Sequence, residues 1–220
     1  MRWTIFNGSP RAKKSNSDVL LGHFRAGVEA AGGRCEQHYL AQTRKRDQHL
    51  AAYADAERVL VVFPLYVDAM PSQVMAFFEA LAGRVGRDDN PPMAFFVHSG
   101  FPEALHMRAV ERYLEKLARR LGSEYLGMMI KGGSEGIQVM PALMTRKLYR
   151  TMHALGAASA ETSTLDPALL RKLAGRERFS GPSKLVMRLM IATGMNEGYW
   201  NQQLKKNGVW DQRFDRPYAP

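Results

Sequence analysis

"RVLVVFP", residues 58–64, decides the fold of this chain. Five apolar residues follow one another from Val59 to Phe63, three of them valine, with no polar face between them. A strand that is apolar on both sides belongs inside a sheet covered by helices on each face, as parallel strands of α/β proteins are. Alternation of apolar and polar residues would instead mark a strand with one wet face. Pro64 ends the run, because it has no N–H to offer a neighbouring strand.

The pattern on either side extends this reading. Upstream, Trp3 to Phe6 form a short apolar run that ends at Asn7-Gly8, and "SNS" (15–17) then opens a helical pattern. Leu20 or Leu21, Phe24, Val28 and Ala31 share one side of that helix, and Gly32-Gly33 supplies its stop. Cys35 to Leu40 form a second strand, followed by a polar stretch and a short helix around Gln48 to Ala56.

Downstream, Pro71 opens a helix with Val74, Phe77, Phe78 and Leu81 at the i, i+3, i+4, i+7 positions. "MAFFVHS" (93–99) is a fourth strand, and a helix is expected from Pro102 to Leu121. Tyr125 to Ile130 form a fifth strand, "KGGSEG" (131–136) follows as a lid, a dimer contact or an ordinary turn, and a last helix runs from about Ala142 to Leu155. Five strands alternating with helices predict an α/β fold with a mainly parallel sheet. Right-handed crossovers place helices on both faces, and ligands then bind beyond the carboxyl ends of the strands. Near Ser159–Thr164 the pattern becomes irregular and basic, which divides the chain into a domain over 1–158 and a C-terminal helical or irregular extension over 159–220.

Composition narrows the function classes. The single cysteine, Cys35, excludes an internal disulfide framework and any CxxC metal or redox pair, and reads as a buried structural thiol. The histidines show no metal-like spacing with acidic partners. No apolar run approaches the roughly 20 residues of a membrane span, and the N-terminus lacks the pattern of a signal peptide, so a cytoplasmic protein without membrane insertion is expected. The net charge of +10 comes from basic residues interspersed with acidic ones along the whole chain. The densest cluster, Arg44-Lys45-Arg46, has no interleaved aromatics, which disfavours nucleic acid as a partner and leaves a solvated surface or a rim attracting an anionic dinucleotide.

Each loop at a strand's carboxyl end is then a candidate site. After the first strand, "NGSPRAKKSNS" (7–17) brings together Gly8, Ser9, Arg11, Ser15, Asn16 and Ser17. Hydroxyls, an amide, a fixed cation and a helix N-terminus form a phosphate cradle. A Gly-Ser-Pro turn with serine caps uses some of the same residues, yet leaves Arg11 and two hydroxyls without purpose. Neither GxxxxGK[ST] nor GxGxxG aligns here, which disfavours nucleoside triphosphate and dinucleotide fingerprints. After the third strand, "FPLYVDAMPSQ" (63–73) sets Pro64, Leu65, Tyr66 and Val67 beside the first loop, suited to the face of a planar ring or to packing under the next helix. After the fourth, "HSGFPE" (98–103) offers Gly100 for close approach and Phe101 as a wall, while His98 reads as a structural strand-end residue or a proton donor.

In combination, GSPR…SNS, P-L-Y-x-D-x-x-P-S and S-G-F-P-E resemble the flavodoxin-like NAD(P)H-dependent FMN reductase family over roughly residues 1–155. The tail "NEGYWNQQLKKNGVWDQRFDRPY" (196–218) resembles that of some members, with weaker support. The resemblance implies a five-stranded parallel sheet of order 2-1-3-4-5 and bound FMN, with NADH or NADPH as reductant. It places the FMN phosphate on Ser9, Arg11, Ser15, Asn16 and Ser17. The isoalloxazine falls against Pro64, Leu65, Tyr66 and Val67 with Asp68 nearby, and its other edge against Ser99, Gly100 and Phe101. It further implies a homodimer and a small-molecule electron acceptor such as a quinone, a flavin or an azo or nitro compound. No cysteine lies in 41–57, so the cluster of iron–sulfur relatives is excluded. A flavodoxin-type electron carrier and a non-enzymatic FMN-binding protein remain as alternatives; the positive charge and the long tail speak against the carrier.

Overall fold

The computed structural model describes residues 1–194 and 197–216 of the chain. Two compact units partition it, Met1–Glu177 and Arg178–Pro220. The first is built on five parallel strands, β1 (Arg2–Asn7), β2 (Arg34–Tyr39), β3 (Val59–Pro64), β4 (Met93–His98) and β5 (Tyr125–Lys131). Their order is β2-β1-β3-β4-β5, as the resemblance implies. Every residue of β3 and β4 is buried, which is what an unbroken apolar run requires of its surroundings.

The pleat divides those residues between two cores. Val59, Val61 and Phe63 face one side, where they meet α3 (Ser72–Ala80) and α4 (Arg108–Leu121) through Val74, Phe77 and Leu114. Leu60 and Val62 face the other, with Phe24 of α1 (Asn16–Ala30) and Leu155 of α5 (Ala142–Thr162). The short α2 (Arg46–Ala54) adds Tyr53 to the first core. The helix after β4 starts later than its apolar spacing suggests. A 3-10 turn occupies Ala104–Met107 before α4, because the N–H groups of Ala104 and Leu105 are taken by the carbonyls of Arg176 and Glu177. That strap follows α6 (Pro167–Ala174), and Arg108 pairs with Glu177 to hold it.

α5 runs on past Leu155 through Gly156 to Thr162. Its course depends on two glycines far apart in sequence. A Cβ on Gly27 of α1 would strike the carbonyl oxygen of His153, and one on Gly156 would strike the carbonyl oxygen of Phe24. The two backbones touch, so α1 is seated against α5 with its N-terminus at the carboxyl ends of β1 and β3.

The second unit contains α7 (Gly181–Ala192) and α8 (Gly198–Lys206). In α7, Leu185, Val186, Leu189 and Ile191 are exposed. Trp210 is flanked by the cations of Lys205 and Arg213, 4.8 and 4.1 Å from its ring centre. No helix among the described residues is long and apolar enough to cross a membrane.

Alanine substitutions in α1 separate these effects. Gly27→Ala, or Gly156→Ala in α5, is expected to destabilise the protein by about 1–3 kcal/mol through forced separation of the helices. Gly22→Ala meets nothing within 4 Å and is expected to stabilise by about 0.5–1 kcal/mol from helix propensity alone. Denaturant midpoints of the three variants, read beside the parent protein, check the opposite signs.

Candidate functional site

At the carboxyl ends of the strands four loops enclose one cleft. The β1 loop contributes Ser9, Arg11, Ser15 and Asn16; the β3 loop, Pro64, Leu65 and Tyr66; the β4 end, His98, Ser99 and Gly100; and the β5 loop, Ser134 and Glu135. Its enclosed volume is about 80 Å³, room for a phosphate group or the edge of a ring. Nine of the thirteen residues expected at a site line this cleft, while Ser17, Val67, Asp68 and Phe101 do not.

The first loop owes its shape to internal bonds. Gly8 donates its N–H to Val62 O, and the space a Cβ would fill is taken by a methyl of Val74. Its lack of a side chain therefore serves the seating of α3, not the approach of a ligand. Ser9 is buried, its N–H bound to Asn7 Oδ1 at 3.0 Å, and its hydroxyl donates to no protein atom among the described residues. Ser15 is the N-cap of α1, accepting from the N–H of Asp18 at 3.1 Å. Helix geometry leaves the N–H groups of Asn16 and Ser17 without an intrahelical acceptor. The Asn16 side chain donates to the carbonyls of Ser134 and Glu135 at 2.8 and 2.9 Å, tying the start of α1 to the β5 loop.

Ser17 turns to the interior, where its hydroxyl lies 2.8 Å from His98 Nε2. On the other side of the ring, Nδ1 lies 2.8 Å from Ser134 Oγ, which donates to Ser99 O at 3.0 Å. With the Ser134 proton spent on that carbonyl, Oγ accepts from an Nδ1–H, and Nε2 accepts from Ser17. His98 is thus neutral, and burial pushes its pKa down to about 4. It is an anchor. The KGGSEG segment likewise joins the cleft as a fixed wall through Ser134. The signal for both was a strand-end histidine and two serines more than a hundred residues apart, which only the folded sheet brings together.

The β3 loop turns tightly at residues 66–69, with Ala69 N–H bonded to Tyr66 O at 3.0 Å. Both central residues are left-handed, Val67 at φ 41° and Asp68 at φ 57°. For a β-branched residue that backbone is strained, and Val67 is nevertheless 98% exposed. Asp68 opens onto a separate groove of about 270 Å³ with Met70, Met75, Val110 and Tyr113. Phe101 is exposed and stacks on His106. Tyr66 and Ala69 form an isolated antiparallel bridge, whereas the N–H group of Gly100 meets no protein acceptor among the described residues. The Tyr66 hydroxyl has its pKa raised by burial and by Glu135, against the opposing pull of Arg11.

Cys35 offers no nucleophile, since burial raises its thiol to about 12. Among the described residues no three histidine, cysteine or acidic side chains are placed to hold a metal ion. The cleft therefore has one cation, one carboxylate and an apolar strand end, and the hydroxyl–imidazole pair of Ser17 and His98 beside it is buried.

Solved structures show the same architecture. The chain is similar to the FMN-dependent NADH-azoreductase of Bacillus anthracis, in complex with FMN, at 15% identity and a TM-score of 0.57, over 73% of this chain and 100% of that one. It is similar to the NAD(P)H:quinone oxidoreductase of Methanothermobacter marburgensis at 17% identity and a TM-score of 0.57, over 73% and 97% of the two chains. The fold is flavodoxin-like. An NADPH-quinone reductase of P. pentosaceus shares it at 15% identity and a TM-score of 0.52, over 70% of this chain and 96% of that one. No protein-family model matches the sequence, and no curated protein matches it.

The neutral His98 fixes a pH dependence. Its ordinary pKa of 6.5 falls to about 4 on folding, so between those values the unfolded chain binds the extra proton. Its contribution is complete above about pH 6.5 and is lost as pH drops toward 4, by roughly 3 kcal/mol across the window. Urea unfolding at pH 7 and pH 4.5 is expected to show a smaller acid loss in His98→Asn than in the parent, although the variant is less stable at pH 7. Equal acid losses would mean that His98 titrates normally.

Proposed function

We propose that the cleft binds FMN and that the protein is an NAD(P)H-dependent oxidoreductase. Hydride from NADH or NADPH would be passed to a quinone, a flavin or an azo or nitro compound. The observation that carries this reading is the cleft's polarity. At one end are Arg11, the Ser9 hydroxyl and the open N–H groups at the start of α1; at the other are Pro64, Leu65 and Tyr66, with the N–H group of Gly100 beside them. That donor set fits a phosphate monoester joined to a planar ring with carbonyl oxygens. The flavodoxin-like relatives support the reading because an FMN-bound azoreductase and quinone reductases are among them.

When bound, FMN supplies the two-electron redox chemistry. The chain's part is to bind and orient. Ser9, Arg11 and the N–H groups of Asn16 and Ser17 would hold the phosphate, with Ser15 fixing the helix start as its cap. Asn16 and Ser17 would act through their backbone, their side chains being engaged by Ser134, Glu135 and His98. Pro64, Leu65 and Tyr66 would lie along the ring and exclude water, with the exposed Val67 extending that surface and Asp68 turned to the neighbouring groove. Ser99, Gly100 and Phe101 would flank the opposite edge. The strain at Val67 supports this role, since a fully exposed valine in left-handed backbone gains nothing from the protein interior. Lys13 and Lys14 are exposed beside the cleft and would raise the encounter rate of an anionic dinucleotide. We further propose a cytoplasmic homodimer, in which the C-terminal extension contributes the exposed apolar face of α7.

The purified protein is expected to carry, or to load, a flavin absorbance, and to bleach when NADH or NADPH is added without oxygen. Bound flavin that stays oxidised would indicate an electron carrier instead. A colourless protein that cannot be loaded with FMN would sink the proposal. Arg11→Ala is expected to weaken FMN binding by about 1.5–3 kcal/mol, the scale of a hydrogen bond to a charged group. Fluorescence titration of FMN measures it, and unchanged affinity would remove Arg11 from the phosphate end.

A further inference from the structure

A second concavity lies away from the cleft, where the end of β5 meets α5 and α6. It is lined by Lys131 of β5, Met144, Lys147, Leu148 and Thr151 of α5, and Lys172 with its neighbours Leu173 and Gly175 at the end of α6, around about 260 Å³. Three lysines from three different elements thus border one small space. Among the described residues none of the three has a carboxylate within ion-pair distance, and none of their side chains is hydrogen-bonded. Elsewhere the arginines of this unit pair readily, as Arg2 does with Asp55 and Arg108 with Glu111.

Lys131 closes a strand whose pleat turns it toward the α5 side, and it is half-buried, with its pKa lowered by loss of solvent. Lys147 and Lys172, both exposed, bring two further cations to the border of the same space. An anion held there gains from all three cations. The apolar share of the lining, from Met144, Leu148 and Leu173, leaves room for a carbon skeleton beside the charges.

We propose that this pocket is a binding site for a small polyanion, a ligand carrying two or more phosphoryl or carboxylate charges on a compact skeleton. The proposal is independent of the FMN reading, since the two sites share no residue. Bound there, the ligand bridges β5, α5 and α6. It also sits at the foot of the loop that runs from Lys131 to the cleft wall at Ser134, so occupancy stiffens that wall.

Calorimetric titration of the full chain with pyrophosphate and, separately, with citrate tests the site. Either ligand is expected to bind with a salt-sensitive affinity and, once in excess of its Kd, to raise the thermal midpoint by about 3–5 °C for each tenfold rise in concentration. Response to pyrophosphate alone assigns phosphoryl ligands; response to citrate alone assigns carboxylates. Lys147→Gln with Lys172→Gln, both exposed positions, is expected to weaken the interaction at least tenfold with an unchanged midpoint in the absence of ligand. Arg11→Ala is expected to leave it intact, which separates this pocket from the phosphate end of the cleft. No binding of either probe overturns the proposal. So does binding that survives the double lysine variant, or that disappears in Arg11→Ala.

Discussion

His98 closes β4 with both ring nitrogens occupied, one by Ser17 at the start of α1 and one by Ser134 beyond β5. In a site closed to water an unpaired imidazole nitrogen would cost most of its desolvation energy, so both serines are required as a set. A protonated ring would need Ser17 to turn its hydroxyl and accept, which takes from that hydroxyl's proton its present acceptor. Neutrality and geometry therefore enforce one another. Through this contact three chain segments, distant in sequence, are fixed around one point. The Asn16 amide adds a second link between α1 and the β5 loop. The cleft's N–H donors are held before any ligand arrives, and preorganisation of that kind is what gives an anion site its strength.

The sheet and the helix pair place that point. β3 and β4 are buried on both faces, which obliges helices to cover each side and leaves only the strand ends for a ligand. Among the helices, α1 has the least freedom, because the backbones at Gly27 and Gly156 are in direct contact with α5. A helix seated at that distance cannot shift along the sheet without breaking the contact. Its N-terminus, with Ser15 as cap, is thereby set at the mouth of the cleft. Packing on one face of the sheet thus decides the position of donors at its end.

The sequence made the strands readable because burial on two faces leaves a plain mark in "VLVVF" and "MAFF". The strand order was implied by a family resemblance in the loops, since nothing in β-strand periodicity distinguishes neighbours. The late start of α4 was hidden, because the carbonyls that take its first N–H groups come from Arg176 and Glu177. The Gly27–Gly156 contact was equally hidden: each glycine alone reads as a weak point in its helix, and only the pair has meaning. At the site, loop membership was legible for Ser9, Arg11, Ser15 and Asn16. What each side chain does was not. Asn16 and Ser17 carry the residue types of a phosphate loop, yet their side chains are committed to the β5 loop and His98, so the sequence marks the place and leaves the atoms open.

Charge placement constrains what the cleft accepts. Arg11 belongs to the β1 loop, whereas Glu135 lies beside Gly100, whose added Cβ would stand 3.6 Å from that of Glu135. Tyr66 senses both, the carboxylate raising and the guanidinium lowering its pKa. A chain of phosphates laid across this cleft would gain from Arg11 and lose to Glu135 within one ligand. A phosphate monoester with an uncharged remainder gains at the first end and escapes repulsion at the second. The absence of a Walker pattern and of GxGxxG agrees with that selection, because both serve ligands with consecutive phosphates. The cleft thus sets a cation at the β1 loop, an apolar wall along Pro64–Tyr66 and a carboxylate beside Gly100. That order of chemistry along the cleft follows from residues in four separate loops.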